Sequence, residues 1–522
     1  MKSPQIHRRA SGVLAHLTSL PGPHGSGDLG GSARRFVDFL SASSQRFWQM
    51  LPVGPPGYGE SPYSAQSTFA GSPLLIGLDD LAADGLLDDA SLAPPTPLDD
   101  GRMDFVPMEA HRLARLHEAF ERFRAGREGL VGAAPFAAFA AENESWLEDF
   151  ALFRALKRAH GGGAWTGWER DVRARQPTAL AAARRELADE IAFEKFAQYV
   201  FDLQWSRLRE YASERGVALI GDVPIFVAHD SADVWQNPRD FFLDDDGEPS
   251  FVAGVPPDYF SRTGQRWGNP LYRWRRMEKN GYAWWIARLR STLRRFDMVR
   301  LDHFIGFHRY WRIPASEPTA MHGRWMRGPG RKLFDRAQAA LGSLPLIAED
   351  LGEATRGVYA LRDRYGFPGI KVLQFAFGDD PAAPTFLPHN YERRAVVFTG
   401  THDNDTTVGW FTDPGGQGSR TPAQTEEERH TTLRYLGTSG KEIHWEMIRA
   451  ALASVAGLAL MPLQDVLGKG SEARMNRPGL ASGNWTWRVR ENELSADVAA
   501  RLRDLTETYD RGAPASPRKS QP

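Results

Sequence analysis

The chain is 522 residues long with 42% apolar side chains, enough to bury one large core or two or three ordinary ones. Its 64 Lys and Arg nearly cancel its 65 Asp and Glu, which removes the electrostatic reason to expect DNA, RNA or an anionic membrane as partner and favours a neutral one. The absence of cysteine excludes disulfides, thiolate nucleophiles and Cys-ligated zinc.

The first residues, MKSPQIHRRASG, lack the apolar run of a signal peptide, and no stretch approaches the roughly 20 apolar residues of a membrane span, so a soluble, cytoplasmic protein is expected. Short apolar runs that end in polar or Gly residues read as buried parallel strands. The first is 12–21 (GVLAHLTSLP), followed by a helical pattern over 33–42 and a second run at 47–53 (FWQMLPV). More than 160 residues then separate this run from the next, too many for one crossover. Much of that stretch is Ala, Arg, Glu and Leu at helical spacing, which predicts a mostly helical inserted subdomain over 79–190 after barrel strands 1 and 2 in 1–78.

A helix over 193–215 leads to the third run, 217–227 (VALIGDVPIFV). The segment 228–282 is rich in Pro, Gly, Trp and Asp with little periodicity, and reads as a long functional loop region. Runs at 297–304, 344–352, 370–377, 395–404 and 458–467 follow, with helical patterns at 284–296, 331–341, 355–365 and 441–455. Residues 379–388 and 412–424 read as surface loop, 191–510 as the rest of the barrel, and 511–522 (RGAPASPRKSQP) as a disordered tail. Strand followed by helix, eight times over, is the pattern of a (β/α)8 TIM barrel, here with a helical insertion after strand 2 and long loop insertions after strand 3.

Such barrels place their chemistry at the carboxyl ends of the strands. There the fourth run carries Arg300, Asp302 and His303, the fifth Glu349 and Asp350, and the seventh His402, Asp403 and Asn404. Breaking a glycosidic bond with retention needs an ionised carboxylate as nucleophile and a protonated carboxyl as acid, about 5 Å apart. Alternation along a strand puts Arg300 and Asp302 on one side, and the guanidinium favours the charged carboxylate of a nucleophile. Glu349 follows an apolar run and precedes Asp350; burial and a neighbouring negative charge would both keep it protonated as the acid. Asp403 is assigned to hydrogen bonding with the hydroxyls beside the reacting carbon, and Asp222, at the third strand end, faces the same region. The 16 Trp, 13 Tyr and 29 Phe can serve a sugar site by stacking, although most are expected in the core. His16, His303 and His402 show no HxH or ExxH spacing, and no metal or cofactor is expected.

At these residues the sequence resembles the bacterial and plant 4-α-glucanotransferases called amylomaltase or disproportionating enzyme, within the α-amylase superfamily. The resemblance runs from about 12 to 490. It is carried by 55–71 (PPGYGESPYSAQSTFAG), 221–235 (GDVPIFVAHDSADVW), 253–272 (AGVPPDYFSRTGQRWGNPLY), 299–307 (VRLDHFIGF), 347–352 (IAEDLG), 400–410 (GTHDNDTTVGW), EARMNRPG from 472 and GNWTWR ending at 488. RLDHF and THDND occur across the wider superfamily, whereas 253–272 is far more specific. The resemblance implies Asp302 as nucleophile, Glu349 as acid/base and Asp403 as transition-state stabiliser, with Arg300, His303 and His402 around the reacting sugar. It further implies Ser61, Tyr63 and Asp222 as substrate contacts, Tyr259, Phe260, Gln265 and Trp267 in a mobile loop over the site, and Arg474 and Asn476 in the last-strand segment.

The implied partners are α-1,4-glucan donors and acceptors, that is maltodextrins and glucose. Oligomeric state is left open, with a monomer slightly favoured. Ser72, Ile305, Gly378 and Lys469 depart from the family pattern and bear on acceptor preference and product length rather than on reaction type. An α-glucan hydrolase of the α-amylase type and an inactive glucan-binding scaffold are the alternatives. An aromatic lid carrying Tyr259, Phe260 and Trp267 would exclude water and favour transfer over hydrolysis.

Overall fold

Each of the eight apolar runs contains or overlaps one strand of a closed, parallel barrel. The computed structural model describes residues 8–94, 98–99, 101–127, 131–257, 261–415, 420–480 and 482–512. In chain order its strands are β1 (Ala10–Leu14), β2 (Phe47–Gln49), β3 (Ala218–Pro224), β4 (Phe251–Val255), β5 (Gln265–Pro270), β6 (Met298–Asp302), β7 (Arg309–Pro314), β8 (Arg324–Arg327), β9 (Leu346–Ala348), β10 (Gly369–Val372), β11 (Ala395–Phe398) and β12 (Leu458–Pro462). The barrel runs β1-β12-β11-β10-β9-β6-β3-β2 and closes on itself as a (β/α)8 barrel. The six expected helices form at Gly31–Ala42, Ala188–Glu214, Ala283–Arg295, Arg331–Leu341, Arg356–Arg364 and Ile443–Ala453.

Because strand side chains alternate, every second residue fills the barrel. The lower interior is apolar: Ala10, Phe47, Ile220, Met298, Ile347, Ile370, Val396 and Leu458 belong to one buried cluster. Two residues further along the same faces stand Asp222, Arg300 and Glu349, and His402 follows on the loop beyond the end of β11 at Phe398. Climbing toward the carboxyl ends therefore exchanges hydrocarbon for charge. At Gly12 a Cβ would meet the Phe47 carbonyl oxygen at 2.3 Å, so β1 and β2 approach this closely only because residue 12 has no side chain.

Between β2 and β3 the described chain has no strand and several helices, the longest being Phe105–Arg124, Glu144–Ala159 and Ala188–Glu214. The expected division at 190 falls inside the last of these. That helix ties down the segment after β2 through two buried amides. Gln198 accepts from the Gly71 N–H at 2.8 Å and donates to its carbonyl at 2.9 Å, and Gln204 brackets Gly77 in the same way at 2.7 and 3.0 Å.

The segment expected to be loop over 228–282 instead holds β4 and β5, which join β7 and β8 in an antiparallel sheet of order β5-β4-β7-β8. Its Pro, Gly and Asp content hid the alternation, and half of its strands come from beyond β6. Arg511, expected to open a disordered tail, is fully buried. Its guanidinium donates to the carbonyls of Ala10, Leu452, Ser454 and Ala456, so the fold extends to at least Gly512. Residues 513–522 lie outside the described residues. No described helix is long and apolar enough to cross a membrane.

Candidate active site

Arg300 organises the barrel mouth. It is the register partner of Asp222 on the neighbouring strand, as Asp302 is of Pro224, so the three side chains project from adjacent points of β3 and β6. One guanidinium nitrogen of Arg300 donates to both oxygens of Asp222 at 2.8 Å, and the other lies 2.9 Å from Asp302 Oδ1. Burial works against the Arg300 charge, but Asp222 and Asp302 outweigh it and raise its pKa well above the ordinary value. Burial likewise pushes the Asp222 carboxyl up while Arg300 pulls it back. With Tyr63 Oη donating to Asp222 Oδ2 at 2.8 Å as well, the ionised carboxylate is the form its donors satisfy. The Asp222 side chain is thus buried behind Arg300. The Asp302 side chain is 29% exposed, and its Oδ2 has no hydrogen bond among the described residues.

Glu349 continues the inward face of β9 beyond Ile347. Each of its oxygens accepts one backbone N–H, Oε2 from His303 at 2.7 Å and Oε1 from Leu351 at 3.0 Å. Burial raises its pKa from 4.5 to about 8; Arg300 opposes the rise and the Asp302 charge adds to it. The expected contribution of Asp350 is absent, because that carboxylate turns away to Arg362 Nη1 at 2.6 Å and the Ile370 N–H at 2.9 Å. Adjacent strand residues face opposite ways, so the sequence neighbour is not the spatial one. The N–H that reaches Glu349 comes from a residue in the left-handed region, His303 at φ 51°, a conformation costing about 1–3 kcal/mol outside glycine. Burial lowers the His303 pKa to about 4, so its ring is neutral near pH 7.

Asp403 sits on the loop after β11. Asn476 Nδ2 donates to its Oδ1 at 2.6 Å, Arg474 Nη2 to its backbone carbonyl at 2.7 Å, and His402 Nε2 lies 3.4 Å from its Oδ2. The loop is braced from below: fully buried Asp465 accepts from Thr399 Oγ1 and from the Thr407 N–H at 2.7 Å. Among the expected site residues, Arg300, Asp302, Glu349, His303, Tyr63, Asp222, His402, Asp403, Arg474 and Asn476 thus form one linked group.

Ser61 stands behind this group, its Oγ accepting from the Tyr63 N–H at 3.3 Å at the start of a short turn. Trp267 on β5 reaches it from the antiparallel sheet, edge-on to the His303 ring at 4.8 Å, with Nε1 donating to Gln265 at 3.1 Å. Tyr259 and Phe260 lie outside the described residues.

Sequence reasoning missed Trp485. Its ring lies 5.9 Å from that of Tyr63 and 6.1 Å from that of His402, while Tyr63 and His402 stack at 5.0 Å, giving a wall of three rings beside Asp403. Trp485 also has positive φ, 63°. The only signal was its place in GNWTWR beyond the last strand. His16, buried beneath His402, is neutral because burial drives its pKa to about 3. The described residues hold no cluster of three or more His, Asp or Glu suited to a metal.

The 4-alpha-glucanotransferase family model matches residues 15–494. The chain is 51% identical to the 4-alpha-glucanotransferase of Thermus thermophilus over 96% of its own length and 99% of the relative's. It is 47% identical to that of Synechocystis, over 97% and 99%. The solved amylomaltase of Streptococcus agalactiae in complex with acarbose superposes with a TM-score of 0.91 at 37% identity, covering 97% of this chain and all of that one. Matched across the whole barrel and along nearly the full length of its relatives, the chain belongs to the 4-alpha-glucanotransferase family and is an enzyme of that activity.

Proposed function

We propose that this enzyme transfers α-1,4-glucan segments between maltodextrins by double displacement, with Asp302 as nucleophile and Glu349 as acid and then base. The reading rests on one contrast: two carboxyl groups interact at the ends of the neighbouring strands β6 and β9, one paired with a buried guanidinium, the other held protonated to about pH 8 by burial. In the first step an Asp302 oxygen attacks the anomeric carbon and the glycosidic bond breaks. The Glu349 proton passes to the leaving 4-oxygen. Both Glu349 oxygens already accept a backbone N–H, so the proton occupies a remaining lone pair and the carboxyl stays fixed in rotation.

In the second step the 4-hydroxyl of an acceptor gives its proton to Glu349 and displaces Asp302, so configuration is kept. Asp403, held by Asn476, accepts from hydroxyls next to the reacting carbon, and these bonds strengthen as positive charge develops. The Tyr63, His402 and Trp485 rings offer a flat face for a glucose unit, and His303 Nε2, buried without a hydrogen-bond partner among the described residues, would bond a sugar hydroxyl. The acarbose bound by the Streptococcus agalactiae relative supports the same substrate class. Incubation with maltotriose should give glucose plus a ladder of longer maltodextrins. Conversion to glucose and maltose alone would replace this reading by that of a hydrolase.

A further inference from the structure

An open cleft of about 2300 Å³ shares no lining residue with the group around Asp302. Its walls follow the strands that carry the two reacting carboxyls. His308 and residues 326–332 come after β6, residues 357–364 after β9, and the opposite side is built from 165–176, 238–247 and 272–282. Eleven Arg and Lys line it against five Asp and Glu, in a chain whose 64 cations and 65 acids otherwise cancel. Charge is therefore concentrated here.

Part of it is neutralised within the protein. Arg173 pairs with Asp246 at 3.0 Å, Arg276 with Asp240 at 3.1 Å, Lys332 with Glu278 at 2.5 Å and Arg364 with Asp335 at 3.8 Å. Arg170, Arg239, Arg275, Lys279, Arg327 and Arg331 are exposed and make no ion pair or side-chain hydrogen bond among the described residues. Arg331 opens the helix Arg331–Leu341, whose first turn holds no acid and whose N-cap, Gly330, offers no capping side chain. The backbone N–H groups of that turn add to the positive wall.

We propose that this cleft binds a phosphate monoester of a sugar, remote from the transfer site. Guanidinium forks match tetrahedral oxyanions, and a phosphate monoester, nearly dianionic at pH 7, answers several unneutralised cations where a single carboxylate does not. A cleft of this volume accepts the sugar with the phosphate. Two sources share this chemistry: a free sugar phosphate, and a phosphate ester carried on a glucan chain. Of the aromatic residues of the cleft, Trp165, Tyr272, Trp274, Tyr282 and Tyr310 are buried in its walls and half-buried Phe242 lies under the Arg273 guanidinium at 4.8 Å, so the charged groups make the recognition.

Titration calorimetry on the full chain at low salt, with inorganic phosphate, glucose 6-phosphate, a phosphorylated maltodextrin and neutral maltodextrin as probes, tests this. The phosphate probes should bind the Arg239→Ala/Arg275→Ala/Arg331→Ala variant at least tenfold more weakly than the parent, and binding should weaken as salt rises. Neutral maltodextrin binding and transfer from maltotriose, which report the catalytic site and the fold, should be unchanged. Arg239→Glu alone, in an exposed turn, should show part of the same loss. Phosphorylated maltodextrin binding tenfold tighter than glucose 6-phosphate assigns the glucan source; equal affinities assign the free one. No phosphate binding at low salt, or equal binding by both variants and parent, overturns the proposal. So does a short single-stranded oligonucleotide binding where every phosphate monoester fails.

Discussion

Replacing Glu349 by Gln separates what burial does to this carboxyl from what the carboxyl does to the substrate. Raising its pKa from 4.5 to about 8 means that ionising it in the fold costs about 5 kcal/mol more than in the unfolded chain. The folded state holds a proton that the unfolded state loses above about pH 4.5. The stability linked to that proton is therefore complete below pH 4.5 and is lost as pH rises through about 8. Glu349→Gln removes this dependence. It also turns an amide NH2 toward one of the two backbone N–H groups that now meet carboxylate oxygens, at a cost of about 1–3 kcal/mol at every pH.

Denaturant unfolding of both proteins at pH 5 and pH 9 should thus show the difference between them shrinking or reversing at pH 9, by several kcal/mol. Transfer should fall about a hundredfold to ten-thousandfold in the variant and lose its alkaline limb. A maltosyl fluoride donor, whose leaving group needs no proton, should restore the first step. An alkaline limb near pH 8 persisting in Glu349→Gln, or equal loss with the fluoride donor, would refute both the protonation state and the acid role.

Three other substitutions probe the surroundings. Arg300→Lys cannot serve Asp222 and Asp302 at once, so one carboxylate loses its partner; unfolding experiments should show a loss of about 3–5 kcal/mol, with activity nearly abolished. Asn476→Ala frees Asp403 Oδ1 and should lower kcat about tenfold to a hundredfold with little change in KM, a split that steady-state kinetics on maltotriose reads directly. Trp267→Ala removes the ring that covers the His303 edge, and should raise the ratio of free reducing ends to transfer products, measured by chromatography, as water gains entry.

Much of the site was legible because barrel geometry turns sequence spacing into direction. Once 297–304 reads as a strand, Arg300 and Asp302 must share a face, and the same rule sends Glu349 inward beyond Ile347. The eight apolar runs and the six long helical patterns carry their own periodicity, so the order of runs and helices along the chain pointed to the barrel, and the motifs at the ends of the runs pointed to its acids.

Tertiary structure decided what depends on partners distant in the chain. Asp350 stands next to Glu349 yet answers to Arg362, so the raised pKa comes from burial and from Asp302 rather than from the adjacent residue. β4 pairs with β5 and, on its other side, with β7 from beyond β6, a long-range partner that no local pattern in 228–282 announces. Trp485 joins Tyr63 and His402 from over 400 and 80 residues away, and Arg511 is buried by carbonyls near both ends of the chain. Periodicity is a local property that a strand or helix writes into its own residues; burial, ion pairing and ring stacking are pairwise, and only the closed barrel brings those pairs together.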